Sequence, residues 1–293
     1  MCAALTSLEE LRRRVDELDD ALQDALIRRA EVVGEIARLK REDATPPMRP
    51  GREAQILRRL LARHRGAFPR PLLVRIWREI LSGTTAIQSE MHVAVCMPTN
   101  AAGFWDLARD QYGAHTPMTG YRSSGEVVGA VAEGRASLGV LPLPGQGQPE
   151  AWWRLLTPGD TPKPRIIARL PYGARGNARA EGGGEALVIA RIEPEPSGKD
   201  RSLYLIETAK NVSRTRVIVA LANGGLPATA LASATLAGDS VAQLVEFDGW
   251  LLQGDTRLKL ALAPIGGEVL RAASLGGYAV PLGAAELADA GAA

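Results

Sequence analysis

Residues Leu11–Lys40 read LRRRVDELDDALQDALIRRAEVVGEIARLK. Leu8, Leu11, Val15, Leu18 and Leu22 recur at spacings of three and four, and Leu26, Val33 and Ile36 carry the helical period onward. Upstream, Thr6-Ser7-Leu8-Glu9-Glu10 is a capping-box opening, a hydroxyl followed three residues later by a glutamate. Downstream, Asp43-Ala44-Thr45-Pro46-Pro47 ends the pattern. The spacing predicts one helix of roughly 35 residues, about 50 Å at 1.5 Å per residue. Such a helix cannot bury its stripe against itself, so it needs a partner, most simply a second copy of the chain.

Working outward, Pro50 to about His64 carries Ile56, Leu57, Leu60 and Leu61 at helical spacing. Pro69 and Pro71 suit a first helical turn, and Leu73, Ile76, Trp77, Ile80 and Leu81 extend that helix to about Glu90. Residues 1–90 are therefore expected to form an all-helical domain. After Met91 the period changes. His92–Met97 and Ser137–Leu143 read as strands, and Ala101–Tyr112 and Ser124–Gly134 as helices, an alternation that suggests an α/β domain over 91–212. Ala174–Glu185 is Gly-rich and polar, a loop. The remainder, 213–293, reads as strand Arg216–Leu221, helix Leu226–Leu236, strands Ala242–Phe247 and Arg257–Ala263, helix Gly267–Leu275 and strand Tyr278–Leu282. That order is βαββαβ, a ferredoxin-like module.

Composition bounds the function. The chain has 293 residues, enough for two or three domains with real cores. Its 35 Lys+Arg stand against 33 Asp+Glu, and a net charge of +2 argues against a dedicated nucleic-acid binder. No apolar run approaches the roughly 18 residues of a membrane span, and MCAALTSLEELRRR is charged where a signal peptide is greasy. Two cysteines, Cys2 and Cys96, exclude a disulfide framework and point to a reducing cytoplasm. His64, His92 and His115 lack ligand spacing, so no metal site is expected.

Several polar residues are ones that the helices do not need for folding. Arg29 and Lys40 are eleven positions apart and project within about 20° of each other, whereas Arg12 points about 100° away. Arg52 and Glu53 sit in the first turn of the second helix. Thr84 and Gln88 are i,i+4 neighbours on the otherwise apolar line of Ile80 and Leu81. Lys40 is the one lysine among 16 arginines in residues 1–90, which suggests a compact donor that a guanidinium cannot replace. Taken singly, each cation is an ordinary solvated helix charge, and Arg52-Glu53 a reply to the helix dipole. Trp77 reads as core, and Cys96 as a buried strand residue. Jointly, the spacing describes a cationic pocket for a small dianion inside a helix bundle.

Leu11–Lys40, MRPGREAQIL (Met48–Leu57) and IWREILSGTTAIQ (Ile76–Gln88) closely resemble the all-helical chorismate mutases, over nearly all of residues 5–90. The resemblance implies an intertwined homodimer with shared sites that converts chorismate to prephenate in aromatic amino acid biosynthesis, without a cofactor. It implies that Arg29 binds a substrate carboxylate and that Arg12 reaches into the neighbouring subunit's pocket. Lys40 and Gln88 would donate to the ether oxygen, Glu53 with Arg52 would hold the ring hydroxyl, and Thr84 would donate near the carboxylate. Arg49 is placed among the substrate-binding residues beside Arg52 and Glu53, at a position where family members can be acidic.

The rest of the chain resembles a prephenate dehydratase with an ACT regulatory domain, through Val93–Gly113, Glu126–Pro144 and Asp200–Glu207, then GGLP (Gly224–Pro227) and VEFDG (Val245–Gly249). An aromatic amino-acid effector is implied by that tail. Gly145-Gln146-Gly147 replaces an Asn-Ser loop, and Asp200-Arg201-Ser202 stands where a Thr-Arg-Phe strand carries the dehydratase's threonine. An ionised aspartate cannot help hydroxide leave, so the second activity is expected to be lost. The alternatives are a working bifunctional mutase–dehydratase and a non-catalytic amino-acid-sensing partner.

Overall fold

The computed structural model describes residues 7–42, 48–98, 102–145, 150–159, 161–177, 179, 184–236 and 238–289. The expected helix stop at 43–47, Thr6, Gln146-Gly147 and positions 178 and 180–183 of the Gly-rich stretch lie outside them. The chain divides into two compact units, Met1–Pro47 with Gly83–Glu90, and Met48–Ser82 with Met91–Ala293.

In the first unit, α1 runs unbroken from Leu8 to Glu42, 35 residues. Ser7 starts it, its Oγ accepting from Glu10 N at 3.1 Å, while the Glu10 carboxylate turns to Arg13 at 2.6 Å. Ala37 is buried and Arg29, Ala30, Val33, Gly34 and Lys40 are half-buried, a face of helical period. The leucine stripe is exposed, Leu18 and Leu22 each at 64%.

In the second unit, α2 (Pro50–Arg63) opens on a proline at its first turn. The third helix, α3 (Arg70–Gln88), carries Leu73, Val74, Trp77 and Leu81 against α2's Ala54, Leu57 and Leu61, with Tyr172, Ala279 and Leu282. Trp77 is partly buried in that cluster, which agrees with its reading as core.

A nine-stranded sheet organises the rest. Its first part is β1 (Val93–Cys96), α4 (Ala102–Tyr112), β2 (Met118–Tyr121), α5 (Ser124–Ala132), β3 (Leu138–Pro142), β4 (Arg165–Leu170) and β5 (Ala186–Ala190); β1, α4, α5 and β3 are the four expected elements, and β2, β4 and β5 are strands that sequence reading did not include. Strand β1, second from the edge, pairs in parallel with β2 and β3, and all four of its residues are buried. Strands buried on both faces are continuously apolar, and VAVC fits that rule. Ala94 and Cys96 face α5, Trp152 and Trp153, whereas Val93 and Val95 face Phe104 and Leu107 of α4. Ser123 caps α5 in a full capping box with Glu126.

The last part is β6 (Asp200–Ala209), α6 (Arg214–Asn223), β7 (Ala228–Thr235), β8 (Ser240–Asp248), α7 (Thr256–Leu262) and β9 (Val269–Ala279). The strands lie in the order β9-β6-β8-β7, all antiparallel, the ferredoxin-like arrangement of a βαββαβ chain. The order is as expected, but the frame differs by one element. Residues 216–221 are helix, not strand, because Ser213 caps α6 by accepting from Arg216 N. Residues 257–263 are mostly helix because Asp255 does the same at Arg257 N. Leu226–Leu236 is strand instead of helix: the alanine-rich ATALASAT takes its backbone partners from β8, and pairing overrides propensity. Gly267–Leu275 falls mainly on β9 for the same reason, and the strand expected at Tyr278–Leu282 is represented only by the end of β9. The module therefore opens at Asp200, and the expected boundary at 212/213 falls between its first strand and first helix.

The two parts of the sheet join where β4 lies parallel to β9, with Ile166 opposite Gly276. Gly276 has φ of 126°, and a Cβ there would meet Ile166 O at 2.2 Å and Ile166 N at 2.6 Å. Gly276→Ala is expected to cost about 3 kcal/mol or more, because backbone atoms cannot yield as a side chain does. Urea unfolding followed by circular dichroism measures it.

Candidate functional site

Within the first unit, α1 and the end of α3 bring four of the expected residues together in pairs. Arg29 Nη1 donates to Thr84 Oγ1 at 3.1 Å. Lys40 Nζ donates to Gln88 Oε1 at 3.1 Å, and Gln88 Nε2 donates in turn to Thr84 O at 3.2 Å. The eleven-residue spacing on α1 thus meets the four-residue spacing on α3, since about three helical turns on one side face one turn and its flanks on the other. Burial pushes the Arg29 guanidinium down from the usual arginine range. Arginine keeps its proton under such a shift, so the group remains a cationic donor held in a half-dry place. Arg12 is exposed on the same helix, about 25 Å along the axis from Arg29. One chain does not bring those two together.

Within the second unit, α2 holds the others. Glu53 forms an ion pair with Arg78 Nη1 at 2.9 Å. Arg78 is only 5% exposed and lies over the Tyr172 ring at 4.6 Å, a cation–π contact. Near them the Tyr112 phenol is pushed above its usual range, first by burial and then by the Glu53 carboxylate, against the opposing pull of Arg78. Arg49 forks onto Glu195, Nε at 3.0 Å and Nη2 at 2.5 Å from Oε2. The Arg52 backbone N–H donates to Glu195 Oε1 at 3.3 Å, and its side chain reaches Gln55 at 3.4 Å.

Sequence reading missed Arg78 and Glu195. Arg78 falls on the buried line Val74, Arg78, Leu81, Thr85, and a charge at a core spacing was the available signal. Glu195 is flanked by Pro194 and Pro196, which stiffen the segment, but nothing local ties it to a helix 143 residues away.

The segments resembling a dehydratase hold structural contacts. Asp200 accepts from Ser197 N, Ser197 Oγ at 2.6 Å and Gly198 N at 3.0 Å, closing a turn. Arg201 pairs with Asp248, and Ser202 Oγ accepts from Leu251 N at 2.7 Å and donates to Gly249 O at 2.9 Å. In the expected effector segments Leu226, Val245 and Phe247 are buried in the core under α6 and α7. Among the described residues no group of three or more His, Cys, Asp or Glu side chains could hold a metal ion, and no helix is long and apolar enough to cross a membrane.

Residues 11–89 match the family model of chorismate mutase type II. The bifunctional chorismate mutase/prephenate dehydratase of Pseudomonas aeruginosa is 30% identical over 145 residues, 46% of this chain and 38% of that protein. The protein of the same description from Aquifex aeolicus is 29% identical over 143 residues, 47% of this chain and 39% of its own length. The alignments thus span less than two-fifths of the length of these curated relatives. A prephenate dehydratase from Streptococcus mutans aligns over 65% of this chain and 98% of its own at 14% identity, with a TM-score of 0.47, too low to establish a shared fold.

Arg78→Met removes the charge while keeping most of the side-chain volume, and strands the Glu53 carboxylate. It is expected to lower stability by about 2 kcal/mol, less than for a fully buried pair because Glu53 keeps some solvent. Adding Glu53→Gln recovers part of that loss, which a double-mutant cycle in urea measures.

Proposed function

We propose that this chain, which carries a type II chorismate mutase domain over residues 11–89, catalyses the rearrangement of chorismate to prephenate in aromatic amino acid biosynthesis. The observation that carries the reading is the pair of cross-helix hydrogen bonds, Arg29 to Thr84 and Lys40 to Gln88, inside the matched segment. The reaction is intramolecular and needs neither nucleophile nor general base. An enzyme must select the compact diaxial conformer and stabilise negative charge growing on the ether oxygen. In this reading Arg29 binds one carboxylate, with the Thr84 hydroxyl beside it, and its fork supplies orientation. Lys40 and Gln88 donate to the ether oxygen, an electrostatic contribution set before the bond breaks. Arg52 and Glu53 take the ring hydroxyl. Arg49 is anchored on Glu195, which supports leaving it out of hydroxyl binding.

The active form in this reading is a homodimer. Its support is the exposed apolar stripe of α1, which a second copy would cover, and the distance of Arg12 from Arg29, which calls for a neighbour's pocket. Two cysteines in the whole chain fit a cytoplasmic setting. A second reading, with dehydratase activity as well, is favoured by the names of the relatives from Pseudomonas aeruginosa and Aquifex aeolicus. Against it stand the three donors closing on Asp200 and the contacts of Ser202, which engage the residues expected to replace the dehydratase's Thr-Arg-Phe.

The purified chain is expected to consume chorismate and yield prephenate, identified by mass, with no phenylpyruvate absorbance before acidification. Lys40→Ala should lower kcat by about 100- to 1,000-fold, the usual scale for losing one preorganised donor. A variant with near-normal turnover would remove the mechanism. Leu18→Glu with Leu22→Glu should convert the dimer to monomer in sedimentation and abolish turnover together with it.

A further inference from the structure

We infer that Glu195 is a positioning residue for the mutase reaction, acting through the first turn of α2. The inference rests on the reading given above, since α2 carries Arg52 and Glu53. A helix start needs acceptors for its first N–H groups and favours a negative charge nearby. Arg49, at the N-cap, offers no side-chain acceptor. Pro50 follows and has no N–H. The acceptor comes instead from the loop between β5 and β6, where Glu195 Oε1 takes the Arg52 N–H at 3.3 Å. The same carboxylate takes the Arg49 fork, with Nη2 at 2.5 Å. A carboxylate thus stands at the helix start although residue 49 itself is basic.

Two further observations make the contact a built one. Gly51 is buried, and a Cβ on it would lie 2.7 Å from Glu195 O and 2.9 Å from Glu195 Cγ, so the close approach needs glycine. Two helical turns after the first, Arg58 ties α2 to the continuation of the same loop. Its Nη1 reaches Ser197 Oγ at 2.9 Å, and its Nη2 reaches Lys199 O and Val280 O, each at 3.0 Å. The loop between Pro194 and Asp200 is therefore fastened along α2, and Glu195 is its contact with the turn that bears Arg52 and Glu53. Removing the carboxylate frees that turn to rotate or fray, so Arg52 and Glu53 meet substrate less often in the right place. The ring hydroxyl forms and breaks no bond in the rearrangement, so contacts to it persist from ground state to transition state, and their loss raises KM more than it lowers kcat.

Steady-state kinetics of chorismate consumption by the full chain, with Glu195→Ala and Glu195→Gln, tests this. Glu195→Ala should raise KM about tenfold with kcat within about twofold, the scale of a lost helix cap. Glu195→Gln keeps an acceptor for the Arg52 N–H but loses the charge that holds the Arg49 fork, so it should rescue most of the change and leave KM raised about two- to threefold over the parent. A Glu195→Ala protein with a lower melting temperature but unchanged KM has lost only stability, which overturns the inference. If Glu195→Ala does not fold, Glu195→Gln decides: a small rise in KM supports the inference and an unchanged KM overturns it. A parent chain that leaves chorismate untouched overturns the mutase reading and the inference with it. A working parent whose two variants match it in KM and kcat overturns the inference alone.

Discussion

An α-helix satisfies its own backbone hydrogen bonds but has no means of sheltering its own leucines. That constraint governs α1. Ten large apolar side chains between Leu8 and Leu39 are exposed in the single chain, and burying one contributes about 1.5–3 kcal/mol. Even a few of them, once covered, rival the 5–15 kcal/mol that separates a folded domain from its unfolded state. The helix that presents Arg29 and Lys40 on its half-buried face is thus the one whose other faces call for company. In the mutase reading, substrate binding and association fall on two sides of one 35-residue element.

The second unit solves its packing differently. Its sheet runs without a break through β4 and β9, and its cores lie on both faces, so the helices find ready-made apolar surfaces. Even there polar groups are placed at cost. Arg78 is buried with its Nε unsatisfied, and the expense is offset by the Glu53 pair and the Tyr172 ring. A cation kept in a core under those terms argues for a task beyond filling space, and its partner Glu53 is a residue to which the mutase reading gives one.

Long periods and capping signals made the three N-terminal helices legible: leucines every three or four residues, Ser7 before α1 and Pro50 opening α2. Arg29, Lys40, Thr84 and Gln88 were legible because helical spacing turns separation in sequence into direction in space. The C-terminal module was half legible. Its order of elements could be read, yet short apolar runs do not distinguish strand from helix, and the deciding marks were the single caps Ser213 and Asp255. Glu195 was not legible at all. Its meaning depends on a contact across 143 residues, and no local rule encodes such a contact.

The grip of Arg58 on Ser197, Lys199 and Val280 has a consequence for heredity. A gene fusion begins as two portable pieces on one string, separable by any cut in the linker. Once a helix near the front of the chain draws its acceptors from a loop and a strand end near the back, a deletion that discards the back also strands the front. Cutting such a chain in two would require new acceptors in place of Ser197, Lys199 and Val280.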